Sequence, residues 1–94
     1  MKVNFYATFR PIVGGKTVNL PLPADCTVAT MLQVLFGQYP ALTSQMLDEN
    51  GVLFQHVHVF VNGRDALYLA DGFETILKDT DTLDIFPPVG GGRA

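Results

Sequence analysis

Four sets of residues in this 94-residue chain have types and spacings that invite chemistry. They are the Gly90-Gly91-Gly92 run behind Pro87-Pro88-Val89, the single Cys26, the His56/His58 pair and the Asp79/Asp81 pair. Proline fixes φ and interrupts a ladder, so Pro87-Pro88 is expected to project the C-terminal tail away from the body. Glycine has no Cβ, so a glycine run can thread a channel too narrow for any other residue. Fully extended at roughly 3.3–3.6 Å per residue, Val89 to Ala94 reaches about 20 Å. A merely frayed terminus has the same composition, and the rest of the chain has to separate the two.

The other three sets are weaker. Cys26 precedes a helical pattern, where the helix dipole lowers a thiol pKa, but no histidine lies close in sequence to pair with it. An ordinary helix-entry cysteine acting as a small hydrophobe accounts for it. His56 and His58 alternate on a strand-like run, placing both on one face roughly 7 Å apart. Structural zinc usually takes four ligands, and this chain offers no further histidine and one distant cysteine. Surface histidines on a strand are therefore expected, and no metal. Asp79 and Asp81, among Lys78 and two threonines, read as turn chemistry. No phosphate loop, Ser-His-Asp set or flavin motif is present, so the body is expected to carry no catalysis of its own.

The elements that must position the tail emerge from pattern. Val3, Phe5, Ala7 and Phe9 alternate, predicting a strand over Lys2–Phe9. A turn over residues 11–15 leads to a second strand, Thr17–Leu22, held to an edge or to its end by Pro21. Thr27 is the expected N-cap of a helix over Val28–Gly37. Its apolar stripe is Val28, Met31, Leu32, Leu35 and Phe36, with Gly37 and Pro40 as the stop. Leu42–Leu47 suggests a second short helix, and Asn50-Gly51 a turn. His56–Val61 is strand-like and closes on Asn62-Gly63, a type I′ signature. After an irregular stretch and the Asp71-Gly72 turn, Thr82–Phe86 is the last strand.

This ββαβ(β) order is an α+β layer of one main helix across one face of a mixed sheet, the β-grasp pattern. Its first and last strands pair in parallel at the sheet centre, so the tail leaves from a rigid strand. The expected organisation is a β-grasp domain over residues 1–88 and a flexible C-terminal tail over residues 89–94. If Val3, Phe5, Val57, Val59, Val61, Leu83 and Ile85 face the helix, then Tyr6, His58, Phe60 and Phe86 face the other way. Three aromatics on an uncovered sheet face form a candidate docking patch, although scattered exposed apolar residues are also ordinary.

Composition agrees with a single small domain. Hydrophobic content of 48% suffices for one core. The formal charge of −3 argues against nucleic acid or an anionic membrane as the main partner. Acidic residues gather late (Asp65, Asp71, Glu74, Asp79, Asp81 and Asp84) and could steer a basic partner. A lone cysteine excludes an internal disulfide framework, and no apolar run reaches the length of a membrane span or signal segment. A cytoplasmic protein is expected.

Taken together, several segments resemble the MoaD branch of ubiquitin-like sulfur carriers, in the MoaD/ThiS family. They are Val3-Asn4-Phe5-Tyr6-Ala7-Thr8-Phe9-Arg10, the helix Thr27-Val28 through Tyr39-Pro40, Phe60-Val61-Asn62-Gly63-Arg64-Asp65 and Leu77-Lys78-Asp79-Thr80-Asp81. The most specific is Phe86-Pro87-Pro88-Val89-Gly90-Gly91-Gly92, similar to the family ending Phe-Pro-Pro-Val-x-Gly-Gly.

The resemblance implies the small subunit of molybdopterin synthase. An E1-like adenylating enzyme would use ATP to activate the Gly92 carboxylate, and sulfur from a donor would displace AMP to leave a thiocarboxylate. The tail would then enter the molybdopterin synthase large subunit and give its sulfur to a pterin precursor. Gly92 and Gly91 are thus the expected reactive end. Tyr6, Phe60, Phe86, Pro87, Pro88, Val89 and Gly90 are the expected partner-docking residues, with no cofactor bound by the chain itself.

One departure stands out: Arg93-Ala94 come after the glycines, and no thiocarboxylate forms on Gly92 while that peptide bond is intact. A C-terminal processing protease is therefore expected to cut between Gly92 and Arg93. Two other classes stay open: a protein modifier joined through Gly92 to lysines, and a non-covalent binding module working through the aromatic face.

Overall fold

The computed structural model describes residues 1–88. The strand alternation expected from sequence builds a five-stranded mixed sheet ordered β2-β1-β5-β3-β4. Its strands are β1 (Lys2–Phe5), β2 (Thr17–Asn19), β3 (His58–Val61), β4 (Arg64–Asp65) and β5 (Leu83–Phe86). β1 runs parallel to β5 with Val3 opposite Leu83 and Phe5 opposite Ile85. β3 runs antiparallel to β5 with His58 opposite Phe86 and Val61 opposite Leu83. β5 is therefore hydrogen-bonded on both sides, and the chain leaves the sheet from its centre. This is the β-grasp arrangement.

Period two decides which side chains are inside. Val3, Phe5, Val57, Val59, Val61, Leu83 and Ile85 are all buried on one face. Against them lies the main helix, α2 (Val28–Gln38), which buries Val28, Met31, Leu32 and Leu35. Each such fully buried side chain contributes about 1.5–3 kcal/mol of burial energy. The Thr27 hydroxyl accepts from the Thr30 N–H at 3.1 Å, capping the helix as its position predicts. Asn62 and Gly63 both take positive φ (53° and 81°), the geometry of the type I′ turn that joins β3 to β4. Asn62 also donates to Asp81 and accepts from the Thr82 N–H, tying this hairpin to the start of β5.

The structure corrects the sequence reading in five places. β1 stops at Phe5 instead of running to Phe9. Ala7 takes φ 49°, Ala7–Phe9 form a 3-10 turn, and helix α1 (Arg10–Val13) comes next with Pro11 in its first turn. Proline supplies no ladder N–H but suits a helix start, so the turn replaces the strand. Phe9 is still buried, carried in by the helical turn, whereas Ala7 is exposed. Residues 11–15, expected as a plain turn, therefore hold most of α1, which ends on Gly14 in the left-handed region at φ 87°.

The second strand is shorter than expected and ends at Asn19 on the sheet edge, ahead of Pro21. Gly37 lies within α2 instead of ending it; Tyr39 closes the helix, and Pro40–Leu42 begin a new 3-10 turn leading into α3 (Thr43–Met46). Finally, β3 starts at His58, which leaves His56 in the preceding turn.

Candidate functional site

The sheet face opposite α2 is where the expected docking residues meet. β1, β5 and β3 lie side by side, and their outward positions are Asn4, then Asp84 and Phe86, then His58 and Phe60. Tyr6, the extended residue just past β1, lays its ring on Phe86 at a centroid distance of 4.2 Å and an interplanar angle of 11°. Phe86 in turn meets Phe60 edge-to-face at 5.2 Å, and Phe60 meets the His58 ring at 6.3 Å. Offset stacking and edge contacts are the favoured aromatic geometries. Because the rings cover one another, Tyr6, Phe60 and Phe86 are half-buried, not fully exposed.

Polar partners frame this row at each end. The Tyr6 hydroxyl donates to Asp84 Oδ1 at 2.8 Å, and Asn4 Nδ2 donates to the same oxygen at 3.0 Å. The hydrogen bond to Asp84, helped by burial and the carboxylate's charge, raises the Tyr6 phenol above its ordinary pKa. Tyr6 is therefore a fixed donor and not a base. The Arg10 guanidinium sits 5.3 Å from the Tyr6 ring centroid while its Nε donates to the Phe5 carbonyl at 2.9 Å. At the far end, His58 Nδ1 lies 2.9 Å from Asp65 Oδ2. The result is an ordered row from Arg10 to Asp65, with an aromatic middle and polar ends.

Pro87 is buried and Pro88 exposed, so the body extends one residue further than the Pro-Pro pair suggests. Val89, Gly90, Gly91 and Gly92 lie outside the described residues. The remaining sequence candidates do not assemble into chemistry. Cys26 is buried, its Sγ donates to the Thr27 carbonyl at 3.3 Å, and burial pushes its thiol pKa up, against the lowering a helix start would give. His58 pairs with Asp65 while His56 sits in a turn, so the two do not form a pair on one strand face. Asp81 accepts from the Lys78 N–H at 2.8 Å, as turn chemistry requires. Among the described residues, no group of three or more His, Cys, Asp or Glu is placed to hold a metal. No helix among them is long and apolar enough to cross a membrane.

Sequence reading missed Asp84 and Arg10 as members of this face. The outward position of Asp84 between Leu83 and Ile85 was the available signal, since a carboxylate at the centre of a sheet needs donors. Those donors are 80 and 78 residues away in the chain, at Asn4 and Tyr6.

The fold recurs in known proteins. The ThiS family model matches residues 3–92. Small archaeal modifier protein 3 of Haloferax volcanii is 39% identical over 92 residues, covering 98% of each chain. The sulfur carrier protein CysO of Mycobacterium tuberculosis is 27% identical over 96% of each. The crystal structure of SAMP1 from Haloferax volcanii superposes with a TM-score of 0.82 at 33% identity, covering 98% of both chains. The chain belongs to the ThiS family of ubiquitin-like sulfur carriers.

Proposed function

We propose that this ThiS-family chain acts through the carboxyl group of Gly92, as a carrier that delivers sulfur to an acceptor built by a partner enzyme. The observation that carries the reading is the extent of the family match, which closes on Gly92 and leaves Arg93-Ala94 outside it. A protease cut between Gly92 and Arg93 supplies the free carboxylate. A carboxylate is a poor acyl donor because its leaving group is oxide, so an E1-like enzyme transfers AMP from ATP to it and releases pyrophosphate. A sulfur nucleophile then displaces AMP, forming the C–S bond of a Gly92 thiocarboxylate. The first acceptor to test is a pterin precursor of molybdopterin, with the molybdopterin synthase large subunit holding it. The family-like ending Phe86-Pro87-Pro88-Val89 supports that choice.

The chain's own residues bind and present. Tyr6, Phe60 and Phe86 give a partner a preformed apolar face, and Pro88, exposed after the buried Pro87, carries the chain away from the body. Val89, Gly90 and Gly91 supply a lead small enough for a narrow channel. ATP and the sulfur donor belong to the activating enzyme.

A second reading is favoured by the 39% identity to a protein named as a modifier. The same adenylated Gly92 would be captured by a lysine amine, forming an isopeptide and releasing AMP. Both readings share the activation step and part at the nucleophile.

The test is the mass of the C-terminal fragment beginning at Asp79, released by cleavage after Lys78 from protein purified out of its host. That fragment contains no Met or Cys, so a sulfur-for-oxygen gain has one meaning. A fragment ending at Gly92 and carrying that gain is the expected result. Branched peptides joining Gly92 to lysines of other proteins, with no sulfur-bearing form, would replace the carrier by the modifier. A fragment still ending in Arg93-Ala94 during active cofactor synthesis would remove both.

A further inference from the structure

A second apolar surface lies around the sheet edge from the aromatic face. A groove of about 740 Å³ runs between α2, the loop that precedes β3, and the 3-10 turns beyond β4. Four of the five exposed large apolar side chains among the described residues line it: Val52, Phe54, Leu67 and Tyr68. Leu67 and Tyr68 are 67% and 79% exposed. Phe36 and Phe73, packed against the core, complete the walls. Single exposed apolar residues are ordinary, but four converging on one concavity are not.

The groove's charge limits what fits. Its lining holds the Asp65 carboxylate and two histidines and no lysine or arginine. Asp48 and Glu49 line the adjoining hollow that shares Leu47 and Phe54, and Asp71 and Glu74 flank Phe73 in the chain. Arg64, beside Asp65, is the one cation adjacent in sequence to these groups.

Geometry narrows the occupant further. β4 is two residues long, and the Ala66–Tyr68 turn comes directly after it, so this edge offers little backbone for strand addition. A groove walled by side chains instead suits the apolar stripe of a helix. The segment Val89–Ala94 brings only one large apolar side chain and cannot fill such a volume.

We propose that this groove docks an amphipathic helix of a partner protein, its apolar stripe seated on Val52, Phe54, Leu67 and Tyr68 and its lysine or arginine flanks facing the acidic rim. His58 lines the groove and pairs with Phe86 across the ladder, so the docked helix sits one strand away from the start of the tail. It leaves Tyr6 and Phe86 uncovered, so one partner can hold the carrier while another works on its end. Docking in the groove is independent of the fate of Gly92.

The test is an amide NMR titration of the full ¹⁵N-labelled chain with two synthetic helices of about four turns, of identical Leu pattern, one with Lys and one with Glu as the polar residues. The expected result is shifts confined to amides near residues 51–54 and 67–68, with the Leu/Lys helix binding at least about tenfold more tightly than the Leu/Glu helix. Leu67→Ser/Tyr68→Ser, and separately Val52→Ser, should each weaken the Leu/Lys helix, the double variant by about tenfold. Ile76→Ser, at the exposed large apolar residue that does not line the groove, should leave its affinity unchanged. Equal binding of the two helices, shifts centred on Phe60 and Phe86, or unaltered affinity in the serine variants would each overturn the proposal. So would concentration-dependent shifts of the groove amides without peptide, which would give the surface to a second copy of the chain.

Discussion

The two apolar surfaces of this domain are built by opposite means. On the outer sheet face, Tyr6, Phe60 and Phe86 stand on adjacent strands and are fixed by stacking and by the Asp84 carboxylate. In the groove, Val52, Phe54, Leu67 and Tyr68 stand on loops and turns; Val52, Leu67 and Tyr68 are more than half exposed and Phe54 is 40% exposed. The first surface is held together by the fold itself and is presented already formed. The second contributes little to the fold's stability and is free to be spent on binding. An apolar residue held by the fold and one left open to solvent can share a hydrophobicity value and still have different jobs.

The sharpest way to break this contrast is Phe86→Ala. It removes the ring that both Tyr6 and Phe60 contact, and it should cost about 2 kcal/mol in denaturant unfolding. A loss below about 0.5 kcal/mol would mean the row is only adjacent and not cooperative.

Tyr6→Phe is milder. It keeps the stack and deletes one hydrogen bond to a partly solvated carboxylate, so the loss should be no more than about 1 kcal/mol near neutral pH. Because folding raises the Tyr6 pKa, the native state holds the phenolic proton more tightly than the unfolded chain does. That stabilisation is complete below about pH 10, the unfolded tyrosine value, and is lost as pH rises through the folded one. The stability difference between wild type and Tyr6→Phe should therefore shrink on the alkaline side, as urea midpoints measured across that range would show.

The smallest effect is expected in the groove. Leu67→Ser/Tyr68→Ser should shift unfolding by no more than about 0.5 kcal/mol per residue, since both side chains are mostly exposed. A drop comparable to that of Phe86→Ala would erase the distinction between the two surfaces.

The same contrast explains what was legible in the sequence. Leu83-Asp84-Ile85-Phe86 announces its faces by alternation, Asn62-Gly63 announces its turn, and Thr27 its helix. From these come the sheet, its central parallel pair and the aromatic row. The end of β1 was hidden because Ala7-Thr8-Phe9 continues the alternation, and only the positive φ at Ala7 and the helix around Pro11 break it. The groove was hidden because Val52 and Phe54 come from one loop and Leu67 and Tyr68 from another, and no period links them. The bond from Tyr6 to Asp84 spans 78 residues, a separation at which local pattern carries no information. The expected reactive end, Gly91 and Gly92, rests on residue types alone and lies outside the described residues.

The parallel pairing of β1 with β5 has a mechanical consequence. Val3 lies opposite Leu83 and Phe5 opposite Ile85, so the chain enters the sheet at one end and leaves it at the other. Tension applied between the two termini slides β1 along β5, loading their hydrogen bonds all at once instead of unzipping them in turn. β5 is gripped on its other side by β3 as well. A machine that hauls on the C-terminus therefore pulls along the direction in which the domain yields last.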